Sequence, residues 1–138
     1  MKLLTLVVYT VYMTLYQKIE VLELEIKQVK LDINEKKVSE DFKRRTTTVK
    51  LKGKGKVGRG EDVIYEPEKH EYPELDLNGV YSFDEFSEKL DEIDLFPEYV
   101  DHDETDKNYR RWAVESAALD LALKQNDTNL SEILEIQY

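Results

Sequence analysis

Two histidines and thirty carboxylates are the side chains with which this sequence could do acid–base or metal chemistry. His70 stands between Glu68 and Glu71 in a stretch interrupted by Pro67 and Pro73. A metal site needs a second strong ligand at helical or hairpin spacing, and none is placed there, so the expectation is an exposed loop histidine. Asp101-His102-Asp103-Glu104-Thr105-Asp106 has the acid density of a calcium loop. Its sixth position is Asp106 where an EF-hand has Gly, and its twelfth is Trp112 where the motif needs Glu, so the pattern fails at both points. It reads as a solvated acidic loop whose charges favour the positive end of the helix that follows. Gly53-Lys54-Gly55-Lys56-Val57-Gly58 fits the dinucleotide fingerprint formally, but that motif opens a helix, whereas Arg59-Gly60-Glu61-Asp62-Val63-Ile64 continues as a strand. The glycines serve a hairpin instead. With no cysteine, thiol nucleophiles, disulfides, Cys-ligated zinc and iron–sulfur clusters are excluded. None of these patterns assigns a residue a catalytic or metal-binding role.

Charge is distributed unevenly. Residues 1–60 hold 14 Lys+Arg and 7 Asp+Glu, a net +7; residues 61–138 hold 6 and 23, a net −17, so two halves that pack together should attract one another. Lys50, Lys52, Lys54, Lys56 and Arg59 make the hairpin basic, yet no aromatic residue lies between Phe42 and Tyr65 to stack on bases. Nucleic acid is therefore not an expected partner.

The elements that would position these residues follow from periodicity. Arg110–Gln125 has no Gly or Pro and is rich in Ala and Leu, so it forms a helix. Ser116, Asp120 and Lys124 share one polar stripe, and Trp112 with the alanines and leucines is expected to face neighbours. Thr46–Lys52 alternates with Thr47, Val49 and Leu51 on one face; Val57–Tyr65 is the return strand. Leu24–Ile33 alternates with a one-residue slip at Lys27-Gln28 that reads as a bulge, although Ile19, Leu22, Ile26, Val29 and Ile33 also satisfy helical spacing. Asn34–Arg45 is polar without an apolar period and reads as a loop; Glu66–Val80 reads as an irregular connection. Ser82 and Glu85 form a capping box ahead of Phe83, Phe86, Leu90 and Ile93; Pro97 follows the end of that helix, and Leu130–Leu134 starts a last short one.

Residues 1–17 stand apart as an apolar leader or extension. Met1–Tyr16 is shorter than the ~20 residues of a membrane span and lacks an Ala-x-Ala cleavage pattern. An upstream start codon, with Met13 as an internal start, or an extra strand or helix docked on the domain are two readings of it; a membrane or export segment is the third.

Trp112-Ala113-Val114-Glu115-Ser116-Ala117-Ala118-Leu119-Asp120-Leu121-Ala122-Leu123-Lys124-Gln125 resembles the helix that closes the N-terminal capping domain of the enolase superfamily, in its mandelate racemase and muconate-lactonizing branch. Thr46-Thr47-Thr48-Val49-Lys50-Leu51 resembles that domain's second strand, and Gly58-Arg59-Gly60-Glu61 the Gly-x-Gly-Glu opening its third. The resemblance spans roughly residues 22–138 and implies a capping domain over 18–138, without the catalytic barrel of about 250 residues. It implies an α+β fold: a three-stranded antiparallel meander followed by a small helical bundle. In that family the loop between the first two strands covers the barrel mouth, which would put Lys43, Arg44 and Arg45 near an anionic ligand unless they form a merely solvated basic loop. The segment after the third strand also reaches the site, which marks Tyr65 and His70. A barrel base would abstract a proton α to a carboxylate, with Mg²⁺ on barrel acids. With the barrel residues absent, the resemblance implies that this chain has no catalytic or metal residue and is not an enzyme alone; it then carries no cofactor, Mg²⁺ enters only with a barrel partner, and the place of work is the cytoplasm, or a membrane surface if residues 1–16 act as an anchor. A barrel chain or a second copy is the expected partner. The other class of function is an independent interaction or ligand-binding protein that kept the capping fold.

Overall fold

A computed structural model of the chain describes residues 15–135. Its elements in order are α1 (Leu15–Glu20), β1 (Glu23–Ile26), β2 (Gln28–Ser39), β3 (Phe42–Gly53), β4 (Lys56–Asp62), a 3₁₀ turn (Pro67–Lys69), β5 (Gly79–Ser82), α2 (Phe83–Glu92), α3 (Glu104–Gln125) and α4 (Leu130–Glu135). The fold is α+β, with β2-β3-β4 forming an antiparallel meander that carries α3 on one face; β1 pairs with β5 in a separate two-stranded ribbon. The leader reading falls on residues outside those described as far as position 14. No helix among the described residues is long and apolar enough to cross a membrane.

The slip at Lys27-Gln28 is a change of sheet rather than a bulge. Leu24 and Ile26 point into the core from β1, Lys27 N–H donates to the Lys52 carbonyl (2.8 Å), and from Gln28 onward the chain pairs with β3. The loop expected over Asn34–Arg45 is also corrected, since pairing continues from Gln28↔Lys52 out to Lys37↔Lys43, with only Glu40-Asp41 turning between Ser39 and Phe42. Beyond Ile33 the residues of β2 are all exposed, so nothing selects apolar alternation there. The backbone ladder, the Asn34 to Thr48 side-chain bond (3.0 Å) and the Glu35–Arg45 ion pair hold it. At the β3–β4 turn both central residues have positive φ, Lys54 at 51° and Gly55 at 73°, the backbone that a two-residue hairpin demands.

Asp103 caps α3 and is capped in return by Asp106, so the helix begins six residues before the expected Arg110. Its apolar face meets β4 at unusually short range. A Cβ on Gly58 would lie 2.1 Å from the Ala117 carbonyl oxygen, and one on Gly60 would lie 1.9 Å from that of Ala113. The solvent stripe is Trp112, Ser116, Asp120 and Lys124 at i, i+4 spacing, so Trp112, expected inside, is 62% exposed. Part of the stripe seals the outer edge of β4: Asp120 accepts from Arg59 N–H (2.9 Å) and Lys124 donates to the Val57 carbonyl (2.8 Å).

The core joins Leu24, Ile26, Val49, Leu51 and Ile64 to Val114, Ala117, Leu121 and Phe86. Ser82 and Glu85 form the expected capping box, which aims Phe83, Phe86 and Leu90 inward. At the far end of α3 the Gln125 side chain accepts from Glu25 N–H and donates to Glu25 C=O, both at 2.9 Å. The attraction expected between the halves is not spent inside the fold: every side-chain ion pair among the described residues joins two groups from the same half.

Candidate functional site

Strand alternation separates the five candidate residues. Arg44 lies on the face of the meander away from α3, whereas Lys43 and Arg45 belong to the opposite face, where Arg45 is bound to Glu35. Tyr65, just past β4, returns to the outer side. Its ring stacks on Phe42 at 5.3 Å between centroids, and the Arg44 guanidinium lies 5.3 Å from its centre. Arg44 also donates to the carbonyls of Val63 (2.9 Å) and Ile64 (3.4 Å), which ties the segment after β4 to the hairpin. Tyr65 is 63% exposed. Sequence reading missed Phe42, because a polar loop was expected around it; its alternation with Arg44 was the available signal.

His70 is not an exposed loop residue. It is 1% accessible, with Nδ1 at 2.8 Å from the Thr47 hydroxyl and Nε2 at 2.7 Å from the Ile64 carbonyl. A carbonyl only accepts, so Nε2 carries a proton, and in the neutral ring Nδ1 accepts from Thr47. Flanking glutamates suggested exposure; the hydroxyl that draws the ring inward is 23 residues away on β3. The imidazole therefore sits on the inner side of the segment whose outer side presents Tyr65, and Ile64 O takes hydrogen bonds from both His70 and Arg44.

Deeper still lies the fully buried Arg110–Asp62 pair, with Nε to Oδ2 at 2.9 Å. The guanidinium is layered between the rings of Tyr72 (3.7 Å) and Phe96 (3.8 Å). Its remaining donors reach the carbonyls of Glu71 (2.7 Å), Leu95 (2.9 Å) and Lys69 (2.6 Å). Asp62 also accepts from Tyr72 Oη and from Ile64 N–H. Burial, and then the Asp62 charge, push the Tyr72 phenol well above its usual range, so it remains a donor. One side chain thus satisfies the backbone of two irregular segments. Lys69 bonds Asp106 at the start of α3 (2.8 Å), fixing the same connection from outside.

This arrangement offers a half-buried cation and an exposed aromatic face, supported from behind by hydrogen-bonded and ion-paired groups. It can hold a carboxylate or a flat apolar group; its histidine and its buried carboxylate are both committed to neighbours. Among the described residues no three His, Asp or Glu side chains converge to hold a metal ion. A separate cleft of about 480 Å³ lies between α2 and the start of α3 over Leu90, Ile93 and Phe96, and none of the five candidates lines it.

A family model described as "Domain of unknown function (DUF8230) N-terminal domain" matches residues 17–133. No curated protein and no solved structure matches the chain.

Proposed function

We propose, from the premise that the chain belongs to the DUF8230 N-terminal domain family, that it is a capping and substrate-specificity module of the enolase-superfamily type, in the mandelate racemase and muconate-lactonizing branch, which works in the cytoplasm with a catalytic barrel and is not catalytic alone. One observation carries this reading. The Gly-x-Gly-Glu and the Ala-rich helix, the two motifs on which the resemblance rests, meet as one contact, with Gly58 and Gly60 against Ala117 and Ala113. Each motif supplies the reason for the other, since only a strand without Cβ and a helix of small residues can approach so closely. The family's own description as an N-terminal domain agrees with a second part in its members.

In this reading Arg44 and Tyr65 face the ligand. Arg44 attracts a carboxylate, Tyr65 with Phe42 covers its apolar body, and His70 positions Tyr65 by gripping Ile64 O. Lys43 and Arg45 lie on the other face and act only at long range. In the same reading Mg²⁺ belongs to barrel acids.

The test is to read the source DNA beyond the codon for Tyr138 for about 250 codons, co-express any encoded barrel with this chain, and follow Mg²⁺-dependent exchange of α-protons of carboxylate substrates by NMR. Exchange that needs both chains, with KM raised and kcat less affected by Arg44→Ala, is the expected result. A downstream sequence without barrel strands, or a barrel indifferent to this chain, overturns the reading.

A further inference from the structure

The outer face of the meander is uncovered, and its cations gather at one end. Lys30, Lys50, Lys52 and Arg59 occupy consecutive outward positions of β2, β3 and β4, with Lys54 and Lys56 on the adjoining turn and Lys27 beside it. Lys50 and Lys30 share Asp32, on which Lys52 also acts at longer range, and Lys27 reaches Glu25; Lys54, Lys56 and Arg59 make no side-chain ion pair with a carboxylate among the described residues. Elsewhere, α2 and the stretch leading to α3 carry Asp84, Glu85, Glu88, Asp91, Glu92, Asp94, Glu98 and Asp101 against Lys89 alone. Of these, Glu88, Glu92, Asp94 and Glu98 are exposed and form no ion pair among the described residues, whereas Asp91 is held by Arg111. A chain of net charge −10 thus keeps a compact positive surface and a compact negative one, and neutralises neither with the other.

We propose that the two surfaces meet between molecules: the lysine-rich end of the sheet of one copy binds the acidic α2 surface of a second copy, head to tail. Complementary charge selects this occupant over a nucleic acid. A nucleic acid would find no ring for base stacking at this end, since the nearest outward aromatic pair among the described residues, Phe42 and Tyr65, lies at the other end of the same face. The contact is heterologous, so it extends to short oligomers rather than closing as a symmetric pair. It is independent of the barrel reading, because it uses neither Arg44 nor Tyr65.

Sedimentation velocity of the full chain from ~0.01 to ~1 M NaCl tests this, since the screening length then falls from ~30 to ~3 Å. Association at low salt that disappears at high salt is expected. Lys52→Glu/Lys56→Glu and Glu88→Lys/Glu92→Lys, all at solvent-facing positions, should each sediment as monomers. Mixed, they should regain a two-chain species, because each retains one unaltered surface. A monomer at every salt concentration overturns the proposal, as does association that either variant leaves unchanged. Binding of a fluorescent oligothymidylate that is lost in the lysine variant, with the wild type monomeric, overturns it in favour of nucleic acid. Circular dichroism identifies any variant that fails to fold; Lys54→Glu and Glu98→Lys then replace it.

Discussion

Two neighbouring stretches of α3 are fastened to the sheet by opposite physics. Along its middle the contact is made by absence: Gly58 and Gly60 present no side chain, Ala113 and Ala117 almost none, and the backbones close on each other. Toward its N-terminal end it is made by the most elaborate side chain available, Arg110, with a carboxylate, two rings and three carbonyls around it. The first contact tolerates no added atom. The second tolerates no missing one, because each partner of Arg110 has left water on the understanding that the guanidinium is there. Fastening by absence positions regular elements; fastening by an arginine positions the segments after β4 and before α3, which have little regular structure.

Removing the arginine should be the costliest single change. Arg110→Met leaves Asp62 charged and buried, and a loss of ~3–5 kcal/mol in urea unfolding is expected. Asp62→Leu added to it should recover only part, since the carbonyls of Lys69, Glu71 and Leu95 stay unpaired; full recovery would show that the pair, not the carbonyls, carries the energy. Gly60→Ala should follow at about 3 kcal/mol, the upper end for overpacking, because the new methyl meets a helix carbonyl that cannot rotate away. A neutral Gly60→Ala would mean that α3 can lift from β4, and the comparison would fail.

His70→Ala tests the layer between. It strips Ile64 O of its donor from the inner side and should cost ~1–3 kcal/mol. The Tyr65 ring, followed by its assigned NMR resonances, should gain mobility as well, a change that a remote destabilising substitution in α2 would not produce. The smallest effect concerns acid. Burial works to raise the Asp106 pKa, but Lys69 and the Asp103 amide outweigh it and hold the carboxyl below its ordinary value near 3.8. Its contribution is complete above that value and is lost as the pH falls through the lowered one. Lys69→Met should therefore lower stability modestly at neutral pH and flatten its decline below about pH 4, so that variant and wild type converge in strong acid, measured by thermal unfolding.

The same comparison separates what could be read from the sequence. Gly-x-Gly and the Ala-rich helix are each recognisable within their own stretch, although their contact joins residues far apart in sequence, and Thr47, Val49 and Leu51 alternate as a half-buried strand must, so the elements themselves were legible. Arg110 was not, because its partners lie 15 to 48 residues away and a lone arginine at the start of a helix looks solvated. His70 failed likewise, being drawn in by Thr47 on another strand. Trp112 failed for a different reason: ring size was weighed above phase, although i, i+4 spacing placed it with Ser116 and Asp120. The hairpin from Asn34 to Arg45 carried no apolar alternation to find, and its cation Arg44 acquires a role only once Tyr65 is folded beside it.

The Gln125 amide imposes an order on synthesis. Glu25 leaves the ribosome early, but the side chain that takes up both its backbone groups arrives 100 residues later, and Asn126 reaches Glu23 O one residue after that. At about 5–20 residues per second, the first strand waits some 5–20 s with this edge open. A nascent chain arrested before residue 125 should thus expose Glu23–Ile26 to chaperones and proteases, and one arrested just beyond Asn126, with enough chain to clear the exit tunnel, should conceal it.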